Sequence, residues 1–246
     1  MNRLQNKTAV VTGGSRGMGR AIVKELAAQG ANVVFTYASS ADKAAAVARE
    51  VQDAGGKAIA VKADNAIHSE IVDAIHTAVQ QYGGVDILVN NAGIAQMKPF
   101  EDYTLQDYED IMGVNVRAVF VASQEALKHM KAGGRIITIG SNLGDMAAGP
   151  NLTLYTTSKT ALQGLTRGMA HDLGNRKITV NLVQPGPIDT DMNPADSPWA
   201  DAMRARMPLG EYGKGEDIAA MVSFLAGDES KFITGAMLTV DGGFNA

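Results

Sequence analysis

Seven short apolar runs, each separated from the next by a stretch of helical character, constrain this chain more than any other feature. They are TAVVT at 8–12, NVVFTY at 32–37, AIAVKA at 58–63, VDILVNN at 85–91, RIITIGS at 135–141, ITVNLV at 178–183 and MLTV at 237–240. Their Val and Ile residues show little apolar–polar alternation, which marks strands covered on both faces, as in a parallel sheet between two helical layers. The segments between them read as helices, including one long helix from about Leu105 to Met130. Gly30, Gly55, Gly83 and Gly133 fall where these helices should stop. Strand and helix in repetition imply right-handed crossovers and an α/β, doubly wound sheet of seven parallel strands with helices on both faces.

No linker, low-complexity tract or repeat interrupts the pattern, so residues 1–246 are read as a single domain. Only the stretch from Pro185 to about Pro208 lacks a period. It is dense in Pro, Asp and Met and is read as a substrate lid at about 186–210. With 46% hydrophobic and 20% charged residues, disorder is excluded as a class. A net charge of −4 without any polybasic tract gives no footprint for nucleic acid or a membrane surface. There is no cysteine, hence no disulfide or thiolate metal site, and MNRLQNKTAVV lacks the apolar core of a signal peptide. A cytoplasmic protein is expected.

The first strand runs into TGGSRGMG at 12–19, which opens an amphipathic helix. A glycine-rich strand-to-helix turn lets backbone N–H groups approach a phosphate at the positive end of the helix dipole. Gly13, Gly17 and Gly19 depart from the common three-glycine Rossmann fingerprint, since three residues rather than one separate the first pair. Tyr155 and Lys159 lie four apart on a predicted helix, so their side chains share a face. An ammonium beside a phenol favours the phenolate. A drop of about three units from the free tyrosine value of about 10 corresponds to roughly 4 kcal/mol.

TGGSRGMG, NNAG at 90–93, YTTSK at 155–159 and QPGPIDT at 184–190 together resemble the short-chain dehydrogenase/reductase family, in its order and spacing, over essentially the whole chain. The resemblance implies a single-domain Rossmann fold and a dinucleotide held by Gly13, Ser15, Arg16, Gly17, Met18 and Gly19, with Tyr37, Ser39, Ser40, Asp64 and Asn65 at its adenosine end. Asn91, Ala92 and Gly93 would close over the adenosine ribose. Pro185, Gly186, Ile188 and Thr190 would cup the nicotinamide carboxamide, and Tyr155 and Lys159 would reach the nicotinamide ribose. The second strand ends in FTYASS and no acid follows until Asp42, whereas NAD-binding relatives place an Asp or Glu there. Arg16 could pair with a 2′-phosphate, so the expected cofactor is NADP(H).

The same resemblance implies a catalytic set of Asn115, Ser141, Tyr155 and Lys159. Hydride passes between nicotinamide and a small-molecule carbonyl while Tyr155 exchanges a proton and Ser141 donates to the oxygen. Ser141 is fourteen residues before Tyr155, one more than in many relatives, and Asn142 would satisfy the shorter spacing; RIITIGS aligns Ser141 directly. Met192, Trp199, Met203 and Met207 either line the lid's inner face or pack it against the core, and Tyr103 and Tyr108 read as packing residues. His68, His76, His129 and His171 show no metal-ligand spacing, so no metal is expected. The family likeness also implies a homotetramer. Two alternatives stay open: a 3-oxoacyl-carrier-protein reductase, for which Lys128, Lys131, Arg135, Arg167, Arg176 and Lys177 could supply basic groups, and a signalling protein binding cyclic-di-GMP, which GGSRG, NLVQPGPIDTDMNPA and FITGAMLTVDGGF also resemble.

Overall fold

The computed structural model describes residues 2–246. Its sheet comprises β1 (Thr8–Val11), β2 (Asn32–Tyr37), β3 (Lys57–Lys62), β4 (Ile87–Asn90), β5 (Arg135–Ile139), β6 (Thr179–Pro185) and β7 (Met237–Val240). All pairings are parallel, in the order β3-β2-β1-β4-β5-β6-β7. The helices are α1 (Gly17–Ala28), α2 (Ala41–Asp53), α3 (His68–Tyr82), α4 (Leu105–Met112), α5 (Ala118–His129), α6 (Thr153–Leu173), α7 (Ala200–Arg204) and α8 (Gly215–Ala226). Among the described residues none is long and apolar enough to cross a membrane.

The unbroken apolar runs feed two cores at once, because successive strand side chains point to opposite faces. Ala9, Val11, Val33, Phe35, Ile137 and Ile139 pack with Ile22, Leu26, Val47 and Val222 of α1, α2 and α8. Val10, Val34, Leu88 and Ile136 pack on the other side with Ile71, Ile75, Ala122 and Leu173 of α3, α5 and α6. The edge strands β3 and β7 are only partly covered.

Gly30, Gly55 and Gly83 follow α1, α2 and α3 with φ of 94°, 80° and 82°, the left-handed geometry that ends a helix. Gly133 differs from expectation. Met130, with extended backbone, ends α5, and Gly133 shapes the turn into β5 instead. The long helix expected over 105–130 is also interrupted, by a π-helical turn at Gly113–Arg117 between α4 and α5. Such turns insert one residue into the helical ladder and re-aim the side chains around them.

Candidate active site

Strand order reverses between β1 and β4, and the loops leaving their C-terminal ends open a crevice there. A cavity of about 270 Å³ fills it. Gly13, Ser15, Arg16, Gly17, Met18 and Gly19 form one wall, Asn91, Ala92 and Gly93 the other, and Tyr37, Ser39, Ser40, Asp64 and Asn65 the far end. Thr190 closes it from above. Two glycines are required by close approach. Gly13 has φ of 68°, and a Cβ on it would lie 3.0 Å from Ala92 Cα; a Cβ on Gly19 would run into the Gly13 carbonyl oxygen and sit 2.5 Å from Asn91 Nδ2. Asn91 Nδ2 donates to the carbonyls of Thr12 (2.9 Å) and Gly13 (3.0 Å), and Thr12 Oγ1 accepts from the N–H groups of Asn91 and Ala92. The two loops are thus one hydrogen-bonded unit around bare backbone. The N-terminal N–H groups of α1 face the cavity with no helical partner of their own, which suits a pyrophosphate.

At the adenosine end no carboxylate terminates β2. Asp64 and Asp191 both line the cavity, and Asp191 Oδ2 lies 3.0 Å from Lys43 Nζ and 3.5 Å from Arg16 Nη1. Lys43, first, and Arg16 hold the Asp191 carboxyl below its ordinary range. All three side chains are more than half exposed, so the pairs add little stability. The pairs gather two cations at one carboxylate beside the glycine loop. Sequence reading missed Lys43, which carries no motif and reaches the site only through the packing of α2 beside the glycine loop.

β5 delivers Ser141 to the same edge of the sheet. Its Oγ accepts from the Leu143 N–H at 3.1 Å, and its carbonyl accepts from Gln184 Nε2 at 3.2 Å. Gln184 and Gln163 both donate to Asp145, at 2.7 and 2.6 Å, which pins the turn after β5. Asn142, the competitor for the serine's place, turns away and exchanges hydrogen bonds with Asn245. After Ser141 the chain makes a 3-10 turn over Asn142–Gly144. Tyr155 and Lys159 project from the first turns of α6, with Lys159 Nζ 5.6 Å from the Tyr155 ring centre and donating to the Ile139 carbonyl at 3.1 Å.

Their electrostatics differ from the expectation at one point. Burial pushes the Tyr155 phenol above its ordinary value, with the Ser141 hydroxyl opposing; the lysine does not dominate. Burial also lowers Lys159 to about 8, so the ammonium stays mostly charged at neutral pH and loses its charge as the pH rises through that value.

Asn115 sits in the π-helical turn. Its Oδ1 accepts from the Ile94 N–H and its Nδ2 donates to the Ile94 carbonyl, both at 2.9 Å, with a further donation to Ser158 Oγ at 3.0 Å. A Cβ on Gly93 would lie 3.3 Å from Asn115 Oδ1 and 3.5 Å from Lys159 Nζ. The wall of the nucleotide-sized cavity and the Asn, Ser, Tyr, Lys group therefore adjoin at Gly93.

Comparison with known proteins agrees with this geometry. A family model described as enoyl-(acyl carrier protein) reductase matches residues 13–245. A short-chain dehydrogenase/reductase from Serratia marcescens shares 54% identity, covering 99% of this chain and 100% of its own, with a TM-score of 0.97. A short-chain dehydrogenase from Burkholderia cenocepacia J2315, solved in complex with NADP, shares 51% at a TM-score of 0.97 over the same fractions. The cyclic-di-GMP-binding biofilm dispersal mediator protein of Escherichia coli K12 is 44% identical over 246 residues, 100% of both chains. The chain belongs to the short-chain dehydrogenase/reductase family. It is an oxidoreductase of that family, with one Rossmann domain.

For this family member the Lys159 pKa has a measurable consequence. A lysine neutralised at about 8 when folded and at 10.5 when unfolded means that the unfolded chain binds more protons between those values. Stability therefore rises with pH across that window. Tyr155, whose pKa burial raises, opposes this only above its ordinary value of 10.0. Urea denaturation from about pH 8 to about pH 10 should show the rise in the natural chain, and Lys159→Met should flatten it. An unchanged slope in the variant would assign the effect elsewhere.

Elsewhere in the oxidoreductase, Pro185 ends β6, Gly186 abuts Asp241 too closely for a Cβ, and Ile188 makes a parallel bridge to Gly213. These residues and Tyr155 and Lys159 do not line the 270 Å³ cavity. Thr190 Oγ1 accepts from the Asn193 N–H at 3.3 Å. In the lid, Met203 and Met207 pack with Tyr212 and Phe244, whereas Met192 lines the cavity and Trp199 stays half exposed, its Nε1 donating to Asn193. Tyr103 donates to the Gln96 carbonyl at 2.8 Å, but Tyr108 is exposed rather than packed. Arg135 is buried against the carbonyls of Gly133 and Gly134, and Arg176 holds those of Leu127 and Met130, so neither is free for an acidic partner. His68 and His171 are exposed, as expected of helix surfaces, while α3 and α5 bring His76 and His129 together around Glu125, which sequence spacing did not reveal.

Proposed function

We propose that this chain is a cytoplasmic, NADP(H)-dependent carbonyl reductase that interconverts ketones or aldehydes with alcohols, working as a homotetramer. The observation that carries the reading is the junction at Gly93, where a cavity walled by bare backbone and a helix N-terminus adjoins the buried Asn115 and Lys159, with Tyr155 beside the lysine. The donor set fits the cofactor: backbone N–H groups for the pyrophosphate, Arg16 and Lys43 for a 2′-phosphate, and no carboxylate at the end of β2. A similar short-chain dehydrogenase from Burkholderia carries NADP.

NADPH, when bound, supplies the hydride. Tyr155 gives its phenolic proton to the carbonyl oxygen, and Ser141 donates a hydrogen bond that strengthens as negative charge grows there. A phenol held above its ordinary pKa by burial is protonated at neutral pH, which suits it to act as the acid in the reducing direction. Lys159 would bind the cofactor's ribose, and the Ser141 hydroxyl opposes the effect of burial on the phenol. Asn115 holds the Ile94 backbone in place beside them.

Steady-state rates against aryl ketones, keto esters, diketones and acyl thioesters, with NADPH and NADH in parallel, test the reading. NADPH should be preferred, and Arg16→Ala should cut that preference about 10- to 100-fold, the value of one charge-assisted hydrogen bond. A preference for NADH, or no turnover of any carbonyl, defeats it. The second reading, sequestration of cyclic-di-GMP, is favoured by the full-length likeness to the Escherichia coli mediator. Cyclic-di-GMP displacing NADPH from a chain inert toward the whole panel would support it. The carrier-protein reading is weakened because Arg135 and Arg176 are engaged by backbone carbonyls and Lys128 by Glu125.

A further inference from the structure

On the α3–α5 seam, at the end of α5 that leads into the N-terminal end of β5, three side chains converge that play no part in the proposed chemistry. His76 Nε2 lies 3.0 Å from Glu125 Oε1, and His129 Nε2 lies 3.5 Å from the same oxygen. All three ligand atoms fall within 4.8 Å of one another. Nitrogen and oxygen ligands on a tetrahedral zinc ion, at bond lengths of about 2.0–2.2 Å, stand about 3.3 Å apart, between the two shorter separations. We propose that His76, Glu125 and His129 form a binding site for a divalent first-row transition metal of the zinc class, which staples α3 to α5.

Four features support it independently of spacing. His129 Nε2 is buried and has no hydrogen-bond partner, the mark of a donor atom built for something else. Glu125 is buried, and Lys128 Nζ takes its other oxygen at 2.6 Å, leaving Oε1 turned toward the imidazoles. A carboxylate ligand fixed in this way by an outer partner is how metal sites set ligand orientation. Glu125 and His129 stand in the last two turns of α5, where the helix dipole favours a cation. His76 is 45% exposed, so its ring is free to turn the remaining distance, and water can complete the coordination.

The ligand chemistry, two imidazoles and one carboxylate, suits zinc and its neighbours rather than magnesium or calcium. None of the three belongs to the nucleotide cavity or to the Tyr155 group, so the site stands or falls separately from the reductase reading. The full chain, without a histidine tag and stripped with chelator, is to be titrated with zinc chloride by calorimetry. Thermal unfolding and the visible spectrum with cobalt are followed in parallel. One ion per chain should bind, the unfolding temperature should climb with zinc concentration, and cobalt should show tetrahedral bands. His76→Ala, at a half-exposed position that leaves the fold intact, should weaken binding about 100-fold or more, taking the loss of outer-shell partners as a floor. His129→Ala should do the same, and His171→Ala should change nothing. No saturable binding, or binding undiminished in the His76 and His129 variants, overturns the site and leaves a hydrogen-bonded network only.

Discussion

A Tyr155→Phe protein should fold, bind NADPH and fail to turn over. Burial and the Ser141 hydroxyl set the acidity of this phenol, and Lys159 Nζ lies 5.6 Å from its ring centre. Losing a positioned general acid costs about 10²–10⁴-fold in kcat. The NADPH dissociation constant should move by no more than about tenfold, the most that one neutral hydrogen bond is worth. Fluorescence titration with NADPH beside stopped-flow turnover separates the two quantities. Substantial turnover in the variant would remove Tyr155 from the proton-transfer role, and lost NADPH binding would make it a cofactor ligand first.

The second large effect lies in the glycine loop. At Gly19 an added methyl group meets the Gly13 carbonyl and Asn91 Nδ2, neither of which can yield without breaking the bonds that join the two loops. Gly19→Ala should therefore cost about 1–3 kcal/mol, an unfolding temperature lower by about 3–10 °C in a chain of this size, and most of the NADPH affinity. Gly174→Ala is the matched control. Its Cβ meets nothing within 4 Å, its φ is −58°, and it is exposed, so it should be neutral or slightly stabilising. Equal losses in both variants would show that glycine content, rather than close approach, governs the effect.

The five inner strands were legible in the sequence because each is buried on both faces, leaving unbroken apolar runs that no surface helix would show, while β3 and β7, only partly covered, show as short apolar runs between helical stretches. The glycine loop, the NNAG segment and the Tyr155–Lys159 spacing were legible for a different reason: each is local, and its geometry follows from one turn or one helix. What escaped the sequence depends on features that no spacing records. The π-helical turn at Gly113–Arg117 adds one residue to a ladder that is helical on either side, so periodicity alone reads straight through it. Lys43 and the His76, Glu125, His129 group become neighbours of their partners only when separate helices pack. The direction of the Tyr155 shift depends on burial, which outweighs the opposing hydrogen bond of the Ser141 hydroxyl.

Asn115 gives that inserted turn a larger meaning. Its side-chain amide offers Ile94 one acceptor and one donor, the pair that a neighbouring peptide would offer. The chain leaving β4 has already parted from the sheet at that point, and a single side chain supplies the missing neighbour. The cavity lining at Ile94 is thereby an ordered continuation of the sheet, borrowed from a helix, so a change of pitch between α4 and α5 would shift that lining.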